Sequence, residues 1–238
     1  MHFGRLPDHL LNKVNFALPP EPEANSLVLN GRPTTNPQVY VGGTQWGQPK
    51  WKGTIYPPNA TADRMLEYYT QQFNCIELNA THYKIYAPET IGEWVKKTAN
   101  PDFKFCPKMY QGITHAETLA DKESLSGEFI ESMAAFGQHL GPIFMQLSDA
   151  VGPHRMKELY RYLESIPGKP FNFFLELRHP AWFSNAAIQK DLFEMLTALN
   201  IGSVISDVPS RRDVAQPRYA FEGTKRMKGR ERHLIPIV

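Results

Sequence analysis

The chain has 238 residues, 42% of them hydrophobic and 21% charged, with a formal net charge of +2. This is the composition of a globular protein long enough for one large domain with a substantial core. No apolar stretch is longer than a strand, which excludes a membrane-spanning helix from the reading.

Residues 1–37, rich in Pro, Asn and Glu ("LPPEPEANS", "NGRPTTNP"), read as an N-terminal extension wrapped on the surface. They show no sustained apolar core and no small-residue cleavage site, so no signal peptide is expected. The β-branched "VYVGG" (39–43) predicts a first strand ending in glycines. In "TADRMLEYYTQQF" (61–73), Met65, Leu66, Tyr69 and Phe73 recur at helical spacing. "CIELN" (75–79) predicts the next strand, and "PETIGEWVKKT" (88–98) a helix opened by Pro. "FKFCPKM" (103–109) reads as a strand, and residues 122–141 as a helix with Leu125, Phe129, Met133, Phe136 and Leu140 on one face. "PIFMQL" (142–147) is a strand, 154–166 a helix, and "FNFFLELRH" (171–179) a strand. The helix over 184–202 starts on a Ser or Asn cap and ends on Gly, and "SVISDV" (203–208) is the sixth strand. Cys75 and Cys106 fall inside strand-like runs without metal-ligand spacing; they read as buried reduced thiols, which fits the cytoplasm.

Alternating strands and helices, with connections too long for hairpins, predict parallel strands in an α/β fold. "VGGTQWGQP" lacks the spacing of a dinucleotide-binding turn and opens no helix. A TIM-type (β/α) barrel fits the repeat length better, with about six of eight βα units present and the barrel incomplete at the C-terminus.

Side chains two apart on a strand share a face. By that parity Glu77 and Asn79 share a face, as do Lys104, Cys106 and Lys108, Phe144 and Gln146, and Phe174, Glu176 and Arg178. Asp207 joins Ile205 and Ser203. The polar member lies at the C-terminal end of each strand, and those ends converge on one mouth of a parallel barrel, where active sites of this fold lie. Glu176 and Arg178 are therefore expected at that mouth, neutralised by charges from neighbouring strands, with Glu77 and Asp207 as partners for Arg178 and Lys108. The candidate catalytic set is Glu77, Lys108, Glu176, Arg178 and Asp207; Trp46, Asn79, Thr81, Tyr83, His115, Gln146 and His179 are the candidate substrate-binding residues. A purely structural Glu–Arg network is the competing account of the same charges.

Five blocks carry a family resemblance: "VGGTQWGQPKWKGTIYPP", the run from "YYTQQFNCIELNATHY" to "QGITH", "LGPIFMQL", "LELRHPAWF" and "VISDVPSRRD". Together, over roughly residues 39–213, they resemble the YecE-like family, a domain of unknown function. The resemblance implies a TIM-like barrel domain, here 38–213, and no established reaction. The family's recurrent polar positions fall here at Glu77, Asn79, Thr81, Tyr83, Lys108, Thr114, His115, Gln146, Glu176, Arg178, His179, Trp182 and Asp207, much the same set that parity selects. After "RRD" the family continues with further strand–helix units, whereas residues 214–238 predict no helix, so a truncation or a change of reading frame near residue 214 is expected. Residues 211–238 carry eight Lys/Arg against three Asp/Glu, a basic tail on a mildly acidic body.

The pattern points to an enzyme with an acid–base site acting on a small anionic or polyhydroxylated substrate. Lys108 and Arg178 would hold a phosphate or carboxylate, and Glu176 or Glu77 would move the proton. No cofactor is expected. Glu77, Glu176, Asp207 and His179 are acceptable ligands for a divalent metal, but two cations in the same mouth argue against a multi-carboxylate cage. The alternatives are nucleic-acid binding or processing, resting on the basic tail and exposed aromatics, and an inactive, incomplete barrel. The oligomeric state is left open.

Overall fold

The two faces of the parallel strands carry different residues, and that difference sets the architecture. In the computed structural model, residues 38–166, 171–183 and 185–205 are described, together with the backbone of 207–208 and 211–212. The chain divides into two units, Gln38–Val204 and a second made of residues 1–37 and 205–238.

In the first unit the elements follow the expected order: α1 (Met65–Gln72), β1 (Cys75–Leu78), α2 (Ala80–Tyr83), α3 (Pro88–Lys96), β2 (Lys104–Pro107), α4 (Gln111–Thr114), α5 (Glu123–Ala134), β3 (Ile143–Gln146), α6 (Met156–Ser165), β4 (Phe173–Glu176), α7 (Ala186–Ala198) and β5 (Gly202–Ser203). The neighbouring pairs β1–β2, β3–β4 and β4–β5 are parallel. Bridges from Phe105 to Leu140 and from Lys108 to Phe144 join β2 to β3. The strands thus lie side by side in chain order, and among the described residues they do not close into a barrel.

One face is dry. Ile76, Leu78, Phe105, Ile143, Met145, Leu147, Phe173, Leu175 and Leu177 are buried in the main core with Phe129 and Met133 of α5, Leu159 and Leu163 of α6, and Leu192 and Leu196 of α7. The apolar stripes of these helices place them there. Asn185 caps α7, accepting from the Ala187 and Ile188 amides at 2.8 and 3.4 Å. On the other face Cys75, Lys104, Cys106 and Phe174 are only partly buried, and Glu77 is exposed. Phe144, though buried, stands apart from the main cluster.

Two predicted strands differ. Residues 39–43 form no strand, although Val41 and Gly43 carbonyls accept from Asn74 and Glu77 amides at 3.3 and 3.0 Å beside β1. The Asn74 side chain takes the place of a backbone partner, accepting from Val41 N at 2.6 Å and donating to Val39 O at 2.7 Å, so the ladder is interrupted. The strand expected over 203–208 is split. Gly202–Ser203 ladders to β4, extended by Val204 N donating to Leu175 O at 2.9 Å. In the second unit β6 (Asp207–Val208) pairs antiparallel with β7 (Arg211–Arg212), Asp207 opposite Arg212. The tail 214–238 and the extension 1–37 lie outside the described residues.

A candidate active site at the strand ends

Register builds the centre of the site. Gln146 and Glu176 are partners across β3 and β4, and Gln146 Nε2 lies 2.8 Å from each Glu176 carboxylate oxygen. Arg178, two residues on and therefore on the same face, donates from Nε to Glu176 Oε1 at 3.0 Å. Glu176 is only 7% exposed. An isolated carboxylate there would cost several kcal/mol; an amide and a guanidinium offset that cost with charge-assisted hydrogen bonds.

Lys108, just beyond β2, is 8% exposed, and its Nζ lies 5.9 Å from the centroid of the Phe144 ring. Burial holds its pKa below the ordinary lysine value; Arg178 acts in the same direction, and Glu176 and Glu77 oppose it. Thr81 Oγ1 sits 2.8 Å from the carbonyl oxygens of both Leu78 and Lys108, tying the ends of β1 and β2 together. His82, next to it on α2, places Nδ1 2.8 Å from Met109 O. The His82 and His115 rings meet edge to face at 5.0 Å. Burial lowers the pKa of both, and the Lys108 and Arg178 cations lower them further, against the Met109 carbonyl at His82 and against Asp149 and Glu176 at His115.

The remaining candidates divide. Glu77 accepts from Asn79 Nδ2 at 3.0 Å on exposed surface. The expected pairing of Arg178 with Glu77 is replaced by the Glu176 contact, because residues 176 and 178 of one strand end already share a face. Asp207 belongs to β6, and its side chain lies outside the described residues. Trp46 packs on Trp94 with centroids 5.5 Å apart. Tyr83 is 67% exposed, its ring 5.2 Å from His82. His179 Nδ1 accepts from Ala181 N at 3.1 Å and so caps the turn Pro180–Trp182. Trp182 is a packing residue whose Nε1 donates to Val151 O at 2.7 Å. The two thiols are unpaired, and burial pushes Cys75 up to about 11 and Cys106 up to about 12, which makes them poor nucleophiles at neutral pH.

His82 is the member that parity did not select. The strand ends at Leu78 and the chain turns into α2, so strand alternation does not reach it. The dipeptide "TH" just after a polar strand end is the signal that could have marked it.

Among the described residues, no group of three or more His, Cys, Asp or Glu is placed to hold a metal ion, and no helix is long and apolar enough to cross a membrane. Two shallow depressions elsewhere, one of about 360 Å³ beside Tyr56 and Gln72 and one of about 420 Å³ beside Tyr160 and Asp191, hold no member of the cluster.

Comparison with known proteins is consistent in every direction. The family model described as "Protein of unknown function DUF72" matches residues 40–234. UPF0759 protein YecE of Escherichia coli (strain K12) is 32% identical over 169 residues, covering 71% of this chain and 59% of the relative. UPF0759 protein YunF of Bacillus subtilis (strain 168) is 37% identical over 76 residues, covering 32% of this chain and 26% of its own length. The chain thus spans 59% of the YecE relative's length. Two crystal structures of a DUF72 family protein from Enterococcus faecalis V583 share the fold. One has a TM-score of 0.58 at 20% identity, covering 74% of this chain and 64% of that one. The other has 0.55 at 23%, covering 73% and 65%.

Proposed function

We propose an acid–base reaction on a small anionic substrate for this chain, which belongs to the DUF72 family. The observation that carries the reading is Glu176: a buried carboxylate held by Gln146 and Arg178 at the ends of parallel strands, with Lys108 beside it. A group held in one orientation beside two cations is suited to take a proton from a bound substrate and return it. Arg178 presents its guanidinium for a carboxylate or phosphate, while Gln146 keeps the Glu176 oxygens in place. Metal-independent chemistry fits this donor set, since two cations crowd the one buried carboxylate.

Strands β1 to β5, in chain order, parallel and with the helices on the dry face, support a (β/α) barrel of the TIM type, in which strand C-termini are where reactions occur. Two unpaired cysteines favour a reducing cytoplasm. The nucleic-acid reading rested largely on the basic stretch 211–238, whose side chains lie outside the described residues.

The test is a panel of small phosphorylated and carboxylated polyols and oxo acids, screened first for thermal stabilisation and then for turnover. Glu176→Gln is expected to lower kcat by about 10²- to 10⁴-fold, and Arg178→Ala to raise KM. Turnover unchanged in both variants removes these roles.

A further inference from the structure

Lys108 is the member of the cluster to which the acid–base reading gives only a charge. Its geometry is unusual for a residue that serves as a point charge. An anion-binding lysine is ordinarily well hydrated, whereas this amine is 8% exposed and sits over the ring of Phe144. It makes no hydrogen bond or ion pair with any described residue: Glu176, the nearest candidate, is taken by Gln146 and Arg178. An unpartnered amine, withdrawn from water on an aromatic face and surrounded by Arg178, His82 and His115, is the environment in which a lysine serves as a nucleophile.

We propose that Lys108 Nζ forms an imine with a small carbonyl substrate bearing a carboxylate or phosphate, the anionic end held by Arg178. The proposal rests on the acid–base reading of the same site. The amine lone pair forms a C–N bond to the carbonyl carbon, and the C=O π pair moves to oxygen. Glu176 or His115 carries one proton from nitrogen to that oxygen, giving a carbinolamine, and then passes the second nitrogen proton to the resulting hydroxyl. The hydroxyl leaves as water as the nitrogen lone pair forms the C=N bond, and a later water reverses the sequence; nothing is oxidised or reduced. The lowered pKa of Lys108 fits this role, because more of the amine is neutral at neutral pH.

The experiment exposes the full chain at neutral pH to pyruvate, or separately to glyceraldehyde 3-phosphate, with sodium cyanoborohydride, followed by intact mass and peptide mapping. One reduced adduct on the Lys108 peptide with either probe, absent in Lys108→Met and Lys108→Arg and about tenfold slower in Arg178→Gln, is expected. No adduct with either probe, or labelling that persists in both Lys108 variants, overturns the imine. If the variants fail to fold, the map of the unaltered chain still decides. Thermal shift with inorganic phosphate separates the two levels. Phosphate stabilisation that is lost in Arg178→Gln, together with no adduct, overturns the imine and leaves the anion site standing. Neither stabilisation nor adduct overturns both.

Discussion

Gln146 and Glu176 face each other in register across β3 and β4, and the amide of the first lies 2.8 Å from both carboxylate oxygens of the second. The amide has no charge to neutralise the carboxylate, so its work is to fix the carboxylate's orientation and replace lost water. Gln146→Leu is expected to cost about 1–3 kcal/mol, the range for stranding a buried acceptor. Adding Glu176→Met should restore part of that loss, because no carboxylate then remains to be satisfied. Urea unfolding of Gln146→Leu, Glu176→Met and the double variant checks this; a double loss equal to the sum of the two single losses would show that the pair is not coupled.

Lys108 carries a pH dependence with a definite sign. The folded state disfavours its charged form, so the unfolded chain binds more protons there. Its contribution to stability therefore rises with pH from the lowered folded value up to the ordinary lysine value, and below that interval the penalty is present in full. Lys108→Met should raise the denaturation midpoint at neutral pH and flatten stability between neutral and alkaline pH. A midpoint that falls at neutral pH would mean that attraction to Glu176 outweighs burial.

Glu158, on α6, gives the opposite sign. Arg155 donates from Nε and Nη2 at 2.7 Å each, the Leu119 amide at 2.7 Å and Thr118 at 2.8 Å. Chiefly through the Arg155 hydrogen bonds, the pKa is lowered to about 2. The stabilisation is complete above the ordinary glutamate value and is lost as pH falls through about 2. Partial exposure tempers it, and Glu158→Gln should cost about 1 kcal/mol at pH 7. Chemical denaturation at pH 7 and pH 2 should show a clear difference at the first and a much smaller one at the second.

Gly42 is where residues 41–43 come closest to β1. An added Cβ would run into the Cys75 carbonyl oxygen and approach Cys75 Sγ to 3.1 Å. Backbone cannot yield as a side-chain tip can, so Gly42→Ala should cost about 1–3 kcal/mol. Faster amide exchange at Glu77, which donates to Gly43 O at 3.0 Å, should accompany it; unchanged exchange would mean that the edge accommodates the methyl group.

Parity located the centre of the cluster because Glu176, Arg178, Gln146 and Lys108 sit at or just beyond strand ends, where alternation holds. It ends one residue later, because α2 begins at Ala80; Thr81 and Tyr83 are candidates through the family's recurrent polar positions. Thr81 instead ties backbone carbonyls, Tyr83 points outward, and His82 is the residue that meets His115. Helix positions were legible from apolar spacing and from the Asn185 cap. The 39–43 edge was not, since the sequence of "VYVGG" holds no sign that Asn74 would interrupt its ladder. Ion-pair partners were also hidden: parity puts Glu176 and Arg178 on one face, but alternation does not tell whether Arg178 turns along its own strand end to Glu176 or across to Glu77.

Strand order in chain sequence also bears on how the molecule is made. From β1 to β5 each strand lies beside its predecessor, and successive strands start roughly 30 to 40 residues apart, a stretch that a ribosome adds in a few seconds. A nascent β2 finds β1 already outside the exit tunnel, and β4 finds β3, so no pairing in this unit waits for a partner at the far end of the message. Assembly can keep step with synthesis, and the growing sheet edge stays bare only until the next strand emerges.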